Sequence, residues 1–225
     1  GCVVTQEYID GNQDAYLLKA KAKYPNRIKI CSLYEEKADF SLEGFDGVKI
    51  CAGRLADKDL KKLLPVFKQV ETAGKFISID LADGDEQVED MEYLIKECPD
   101  LRIAIGHFGM VTTPGWQKQI ALAKHKNVYI ESGGLTWLFH KEFYPYPSAI
   151  DAILEARDIC GIEKLMWGSD YPRTMTDITY IMAVRFIVES DKLTEDEKKA
   201  FLGGNAEMFY GFKGLAPLPE KANML

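Results

Sequence analysis

The chain has 225 residues, 47% of them hydrophobic, and a formal charge of −7 from 28 basic and 35 acidic residues. Both signs are spread along its length, which argues against nucleic acid, whose phosphates demand a basic face. No apolar run approaches the roughly 20 residues of a membrane helix and no signal-peptide pattern opens the chain, so a cytoplasmic globular protein with no membrane partner is expected.

In chain order, short apolar, β-branched runs recur at 2–6, 27–33, 47–51, 75–81, 101–107, 127–132 and 163–169. Helical periodicity fills the intervals at 14–23, 57–74, 87–98, 116–124, 148–160 and 177–190. The second helix shows the logic. Leu60, Leu63, Leu64, Phe67 and Val70 recur at three- and four-residue steps, with Asp57 expected as N-cap and Gly74 as stop. Thr194 to Glu197 reads as a capping box opening a helix that ends at Gly203-Gly204. Asn205 is expected to cap one last short helix, and 214–225 to form an irregular tail. The five cysteines form no CxxC pair, and Cys2, Cys31 and Cys51 lie in apolar runs, which suits reduced, buried thiols better than disulfides or a zinc cluster.

Strands alternating with helices imply an α/β fold with a parallel sheet covered on both faces. No Gly-rich phosphate loop follows the first strand, which disfavours a doubly wound sheet and leaves a TIM-like (β/α)8 barrel with seven strands visible, in one domain. Because the chain opens on Gly1-Cys2-Val3-Val4, already in a strand, the first strand–helix unit is expected to be missing.

In such a barrel, chemistry gathers at the carboxyl ends of the strands. His107 and Asp170 each close a buried run about two strand–helix units apart, so both should face one mouth. Asp170 could instead cap the helix after Pro172, and His107 could be a satisfied core residue. Asp80 and Glu131 also end strands, Asp80 with an alternative turn role beside Asp83-Gly84. Arg173 could clamp a substrate carboxylate or make a surface salt bridge. His140 stands in the aromatic stretch "GGLTWLFHKEFYPYPS", which could be a lid, an oligomer contact or local packing. Lys49, in "GVKIC", is expected to alternate away from the mouth, and His125 to lie at the opposite end.

The segments "RIAIGHFG", "NVYIESGGL", "KLMWGSDYPR" and "TEDEKKAFLGGNAEMFYG" resemble, in that order, the later signatures of the amidohydrolase superfamily, amidohydrolase-2 type. Its members include metal-dependent hydrolases, lactonases and non-oxidative decarboxylases. The resemblance implies that His107 is a metal ligand and that Asp170 is both ligand and general base. It implies a divalent metal, zinc or else manganese, that activates water against a small ester, lactone or amide. Asp80, Glu131, Arg173 and His140 become candidate substrate contacts. The family's His-x-His pair closes its first strand, and no His-x-His occurs here. Decarboxylase-like members place a histidine where this chain has Leu135, which makes decarboxylation the second reading. A non-catalytic barrel subunit is the third.

Overall fold

Seven parallel strands pair strictly in sequence order in the computed structural model, which describes residues 1–38, 41–215 and 217. They are β1 (Cys2–Val4), β2 (Ile28–Leu33), β3 (Gly47–Cys51), β4 (Phe76–Asp80), β5 (Arg102–Ile105), β6 (Val128–Glu131) and β7 (Leu165–Met166). Helices follow the strands: α1 (Asp14–Lys23), α2 (Leu64–Thr72), α3 (Val88–Glu97), α4 (Trp116–Ala121), α5 (Leu135–Leu138), α6 (Pro147–Cys160) and α7 (Tyr180–Val188). Two short ones, α8 (Glu195–Lys199) and α9 (Asn205–Tyr210), close the described chain. The sheet curls into an α/β half-barrel, and sequential parallel pairing with helical crossovers accounts for that curl. No helix of the described residues is long and apolar enough to cross a membrane.

Alternation along each strand divides the apolar residues between two cores. Val48, Ile50, Ile77, Ile79, Ile103, Ile105 and Ile130 face outward and pack with Phe67, Leu94 and Ile153 of the helices. Cys31, Phe76, Ala104 and Met166 face inward, where Phe209 and Tyr210 of α9 plug the curl. The free edge of β7 is blunted by the chain itself. Leu165 O accepts from Asn205 Nδ2 at 2.7 Å, and Trp167 N donates to Phe201 O at 2.8 Å.

Several expected boundaries shift for local reasons. The helix expected over 57–74 begins as a 3-10 turn at Leu60–Leu63 and becomes α-helical only from Leu64. Pro65 lacks an N–H and so stands in the first turn of the new helix rather than inside a longer one. Asp59, not Asp57, caps the turn, accepting from Lys61 N at 3.1 Å. Gly74 ends the helix at φ 66° as expected. The capping box forms in full, with Glu197 Oε2 accepting from Thr194 N and Thr194 Oγ1 from Glu197 N. Asn205 does not cap with its side chain, because burial commits the amide to Ile162 O and Leu165 O. The helix expected to stop at Gly203-Gly204 instead runs through a π-helical turn, Ala200–Gly204, into α9. Apart from 214, 215 and 217, the expected tail lies outside the described residues.

Candidate active site

Parity decides the first contact. Register pairs Lys49 of β3 with Ser78 and Cys51 with Asp80, so Lys49 and Asp80 both point into the curl. This corrects the expectation that Lys49 alternates away: its Nζ lies 2.6 Å from Asp80 Oδ1, and the residue is only 6% exposed. Burial alone would lower the Lys49 pKa, but the Asp80 carboxylate outweighs it and the ammonium is held more firmly than usual. Burial would likewise raise Asp80, yet Lys49 and then His107 keep it well below the ordinary carboxylate range. Among the described residues, the Lys49 ammonium is what reaches the buried Asp80 Oδ1.

His107 stands two residues beyond β5, at the start of a 3-10 turn, with φ 51°. Phe108 and Met110 share this left-handed backbone, as does Asp170 at φ 48°. Side chains adopt that region only at a cost, and such residues collect at functional sites. His107 Nε2 lies 3.4 Å from Asp80 Oδ2, and Nδ1 lies 3.1 Å from Gly133 O. Burial opposes charge on the ring, but Asp80 overrides it and lifts the pKa to about 9. Near neutrality the ring is an imidazolium, so Nδ1–H donates to Gly133 O while Nε2–H faces Asp80.

Glu131 ends β6 inside the same curl. Its Oε1 accepts from Gly133 N at 2.8 Å, and burial pushes its pKa up to about 7. Two glycines make room for these acids. A Cβ on Gly106 would stand 2.2 Å from Asp80 Oδ1, and one on Gly168 would stand 1.4 Å from Glu131 Oε1.

Asp170 does not cap with its carboxylate. Its backbone carbonyl takes Thr174 N, while Oδ2 accepts from Trp137 Nε1 at 2.6 Å. Trp137 also meets the His107 ring at 5.8 Å, T-shaped, and carries the Arg173 guanidinium 5.3 Å from its centroid. Arg173 pairs with Asp177 at 2.8 Å, so the salt bridge considered for it is formed and the stack joins it to the site. His140 is exposed, with Nδ1 2.7 Å from the Trp137 carbonyl oxygen. His125 pairs instead with Glu92 of α3.

The structure thus brings Lys49, Asp80 and His107 into contact, with Glu131 beside them, and ties Asp170 to His107 through Trp137. Sequence reasoning missed Lys49, Trp137 and the two glycines. A lysine within a strand otherwise wholly buried, and glycines directly before His107 and Ser169, were the available signals.

Among the described residues no three His, Cys, Asp or Glu side chains gather to hold a metal ion. His107 and Asp80 are two suitable donors, but an ammonium already holds one Asp80 oxygen and the Trp137 indole holds one from Asp170. These donors do not by themselves fit a divalent ion.

Residues 12–212 match the sequence profile of Amidohydro_2, the amidohydrolases. The chain belongs to that family. Solved structures of the same fold include an amidohydrolase from Burkholderia multivorans with bound zinc, 16% identical with a TM-score of 0.74. That alignment covers 94% of this amidohydrolase and 83% of the other chain. A probable 2-pyrone-4,6-dicarboxylic acid hydrolase from Acinetobacter baumannii, with citric acid bound, is 24% identical with a TM-score of 0.71, covering 93% and 83%. A Pseudomonas putida protein provisionally assigned the same hydrolase activity is 23% identical at 0.72, covering 95% and 82%. No curated protein sequence matches the chain.

Proposed function

We propose that this amidohydrolase cleaves a small carboxylated lactone, ester or amide with water, at the mouth formed by His107, Asp170 and the buried Lys49–Asp80 pair. The observation that carries the reading is the cationic pair, Lys49 and His107, clamped on one buried carboxylate beside a strand-end aspartate. Relatives of this fold described by a pyrone dicarboxylic acid, and one holding citric acid, support a carboxylated substrate.

Asp170 keeps one oxygen outside the Trp137 bond and takes a proton from the attacking water as the new C–O bond forms. Negative charge then develops on the substrate oxygen, where the net positive charge of the Lys49–Asp80–His107 cluster stabilises it. Collapse breaks the bond to the leaving oxygen or nitrogen, which recovers the proton from Asp170. Arg173, exposed on the Trp137 face, meets the substrate carboxylate. Amidohydrolases generally use a divalent metal, zinc in one relative of this fold. Among the described residues the donors do not complete such a site, so the chain's own side chains carry the reaction.

The test is turnover of a lactone and ester panel by wild type and Asp170→Asn, with acid and CO2 both followed. Loss of a general base should lower kcat by about 10²–10⁴, with acid released and no CO2. Equal turnover by the variant would sink the proposal, and CO2 release would point to decarboxylation.

A further inference from the structure

We infer that Trp137 is a positioning residue that holds the Asp170 carboxylate in its working orientation, and that the segment Gly133–Trp137 clamps both halves of the site. The inference rests on the reading of Asp170 as general base.

Three contacts converge on this one indole. Its Nε1–H donates to Asp170 Oδ2 at 2.6 Å, its ring meets His107 at 5.8 Å, and Arg173 lies over its face at 5.3 Å. The same short segment reaches His107 a second time, because Gly133 O sits 3.1 Å from Nδ1. One connection, leaving β6, therefore sets the ring that follows β5 and the acid that follows β7.

The backbone is shaped for this arrangement. Gly134 takes φ 82°, and a Cβ there would lie 2.4 Å from Trp137 Nε1. The indole thus folds back over a position that only glycine leaves open. Asp170 needs such a restraint. Its backbone is left-handed and its residue only half-buried, so packing alone does not select a rotamer. A hydrogen bond from a neutral donor to one oxygen fixes the carboxylate plane and leaves the other oxygen for the water proton.

The test uses Trp137→Phe, which keeps a ring for packing and deletes the donor. Positioning predicts a kcat about 10- to 100-fold lower, the rate equivalent of a hydrogen bond to a charged group, with KM changed by less than about twofold. The Phe change should add nothing in an Asp170→Asn background, because both act on one group. An unchanged kcat, or effects that multiply in the double variant, would overturn the inference.

A second readout stands apart from catalysis. The chain has three tryptophans, so the emission difference between wild type and Trp137→Phe isolates Trp137. That difference should be altered by Asp170→Ala, which removes the acceptor, and retained in Asp170→Asn, which keeps one. An emission indifferent to both overturns the contact. If wild type turns over nothing on the panel, the hydrolase reading fails while the emission still judges Trp137.

Discussion

At the scale of single residues, the site is governed by which charges can be buried together. Asp80 is tolerable inside the curl because Lys49 and His107 both lean on it; an unpaired carboxylate there would be costly. Among the described residues Glu131 has no such direct pair, and its pKa climbs to about 7 through burial. An acid with a raised folded pKa binds more protons in the native state, so its contribution is intact below about pH 4.5 and lost as pH rises through about 7. Glu131→Gln, neutral throughout, should therefore remove up to roughly 3 kcal/mol of pH-dependent destabilisation. Urea midpoints at about pH 5 and pH 8 compare the two proteins, and equal slopes would contradict the assignment. His107, Asp170, Asp80 and Glu131 were legible because each closes an apolar run. Lys49 was not, because both faces of β3 are buried and alternation alone cannot say which parity points inward.

At the scale of the elements, the strand ends depend on what their neighbours omit. Gly168 needs no left-handed backbone, so its value lies in the volume that Glu131 occupies. Gly168→Ala should cost about 1–3 kcal/mol through overpacking, read as a lowered melting temperature. In a Glu131→Ala background the same change should cost clearly less, since the colliding oxygen is gone. An undiminished cost would assign the damage elsewhere. The helices were read well where local signals act alone, as at the Thr194 capping box and the Gly74 stop. They were read less well where a distant partner competes. Asn205 looks like an N-cap by sequence, but its amide is taken by the Leu165 and Ile162 carbonyls, 40 and 43 residues away. The short helix α5, which carries Trp137, has no periodicity long enough to announce itself.

At the scale of the whole molecule, α9 is the plug that packs Phe209 and Tyr210 against the inward-facing Cys31, Phe76, Ala104 and Met166. Phe209 meets Phe76 at 6.2 Å and Tyr129 at 4.8 Å, and its carbonyl takes Arg102 Nη1 at 2.5 Å. Its removal as Phe209→Ala should destabilise the protein by about 3–5 kcal/mol, measured by urea denaturation. A loss below about 1 kcal/mol would mean that the strands close without it.

The order of strands and helices, the parallel sheet and the strand-end positions of His107 and Asp170 were determined by the sequence alone. All three follow from periodicity, and periodicity is a local property of the chain. Which side chains meet was decided only in the folded structure. Strand register turned Lys49 toward Asp80, the glycines opened space for two acids, and a tryptophan on α5 reached Asp170 across the mouth. Those contacts join residues tens of positions apart, and their energies exist only once the sheet has curled.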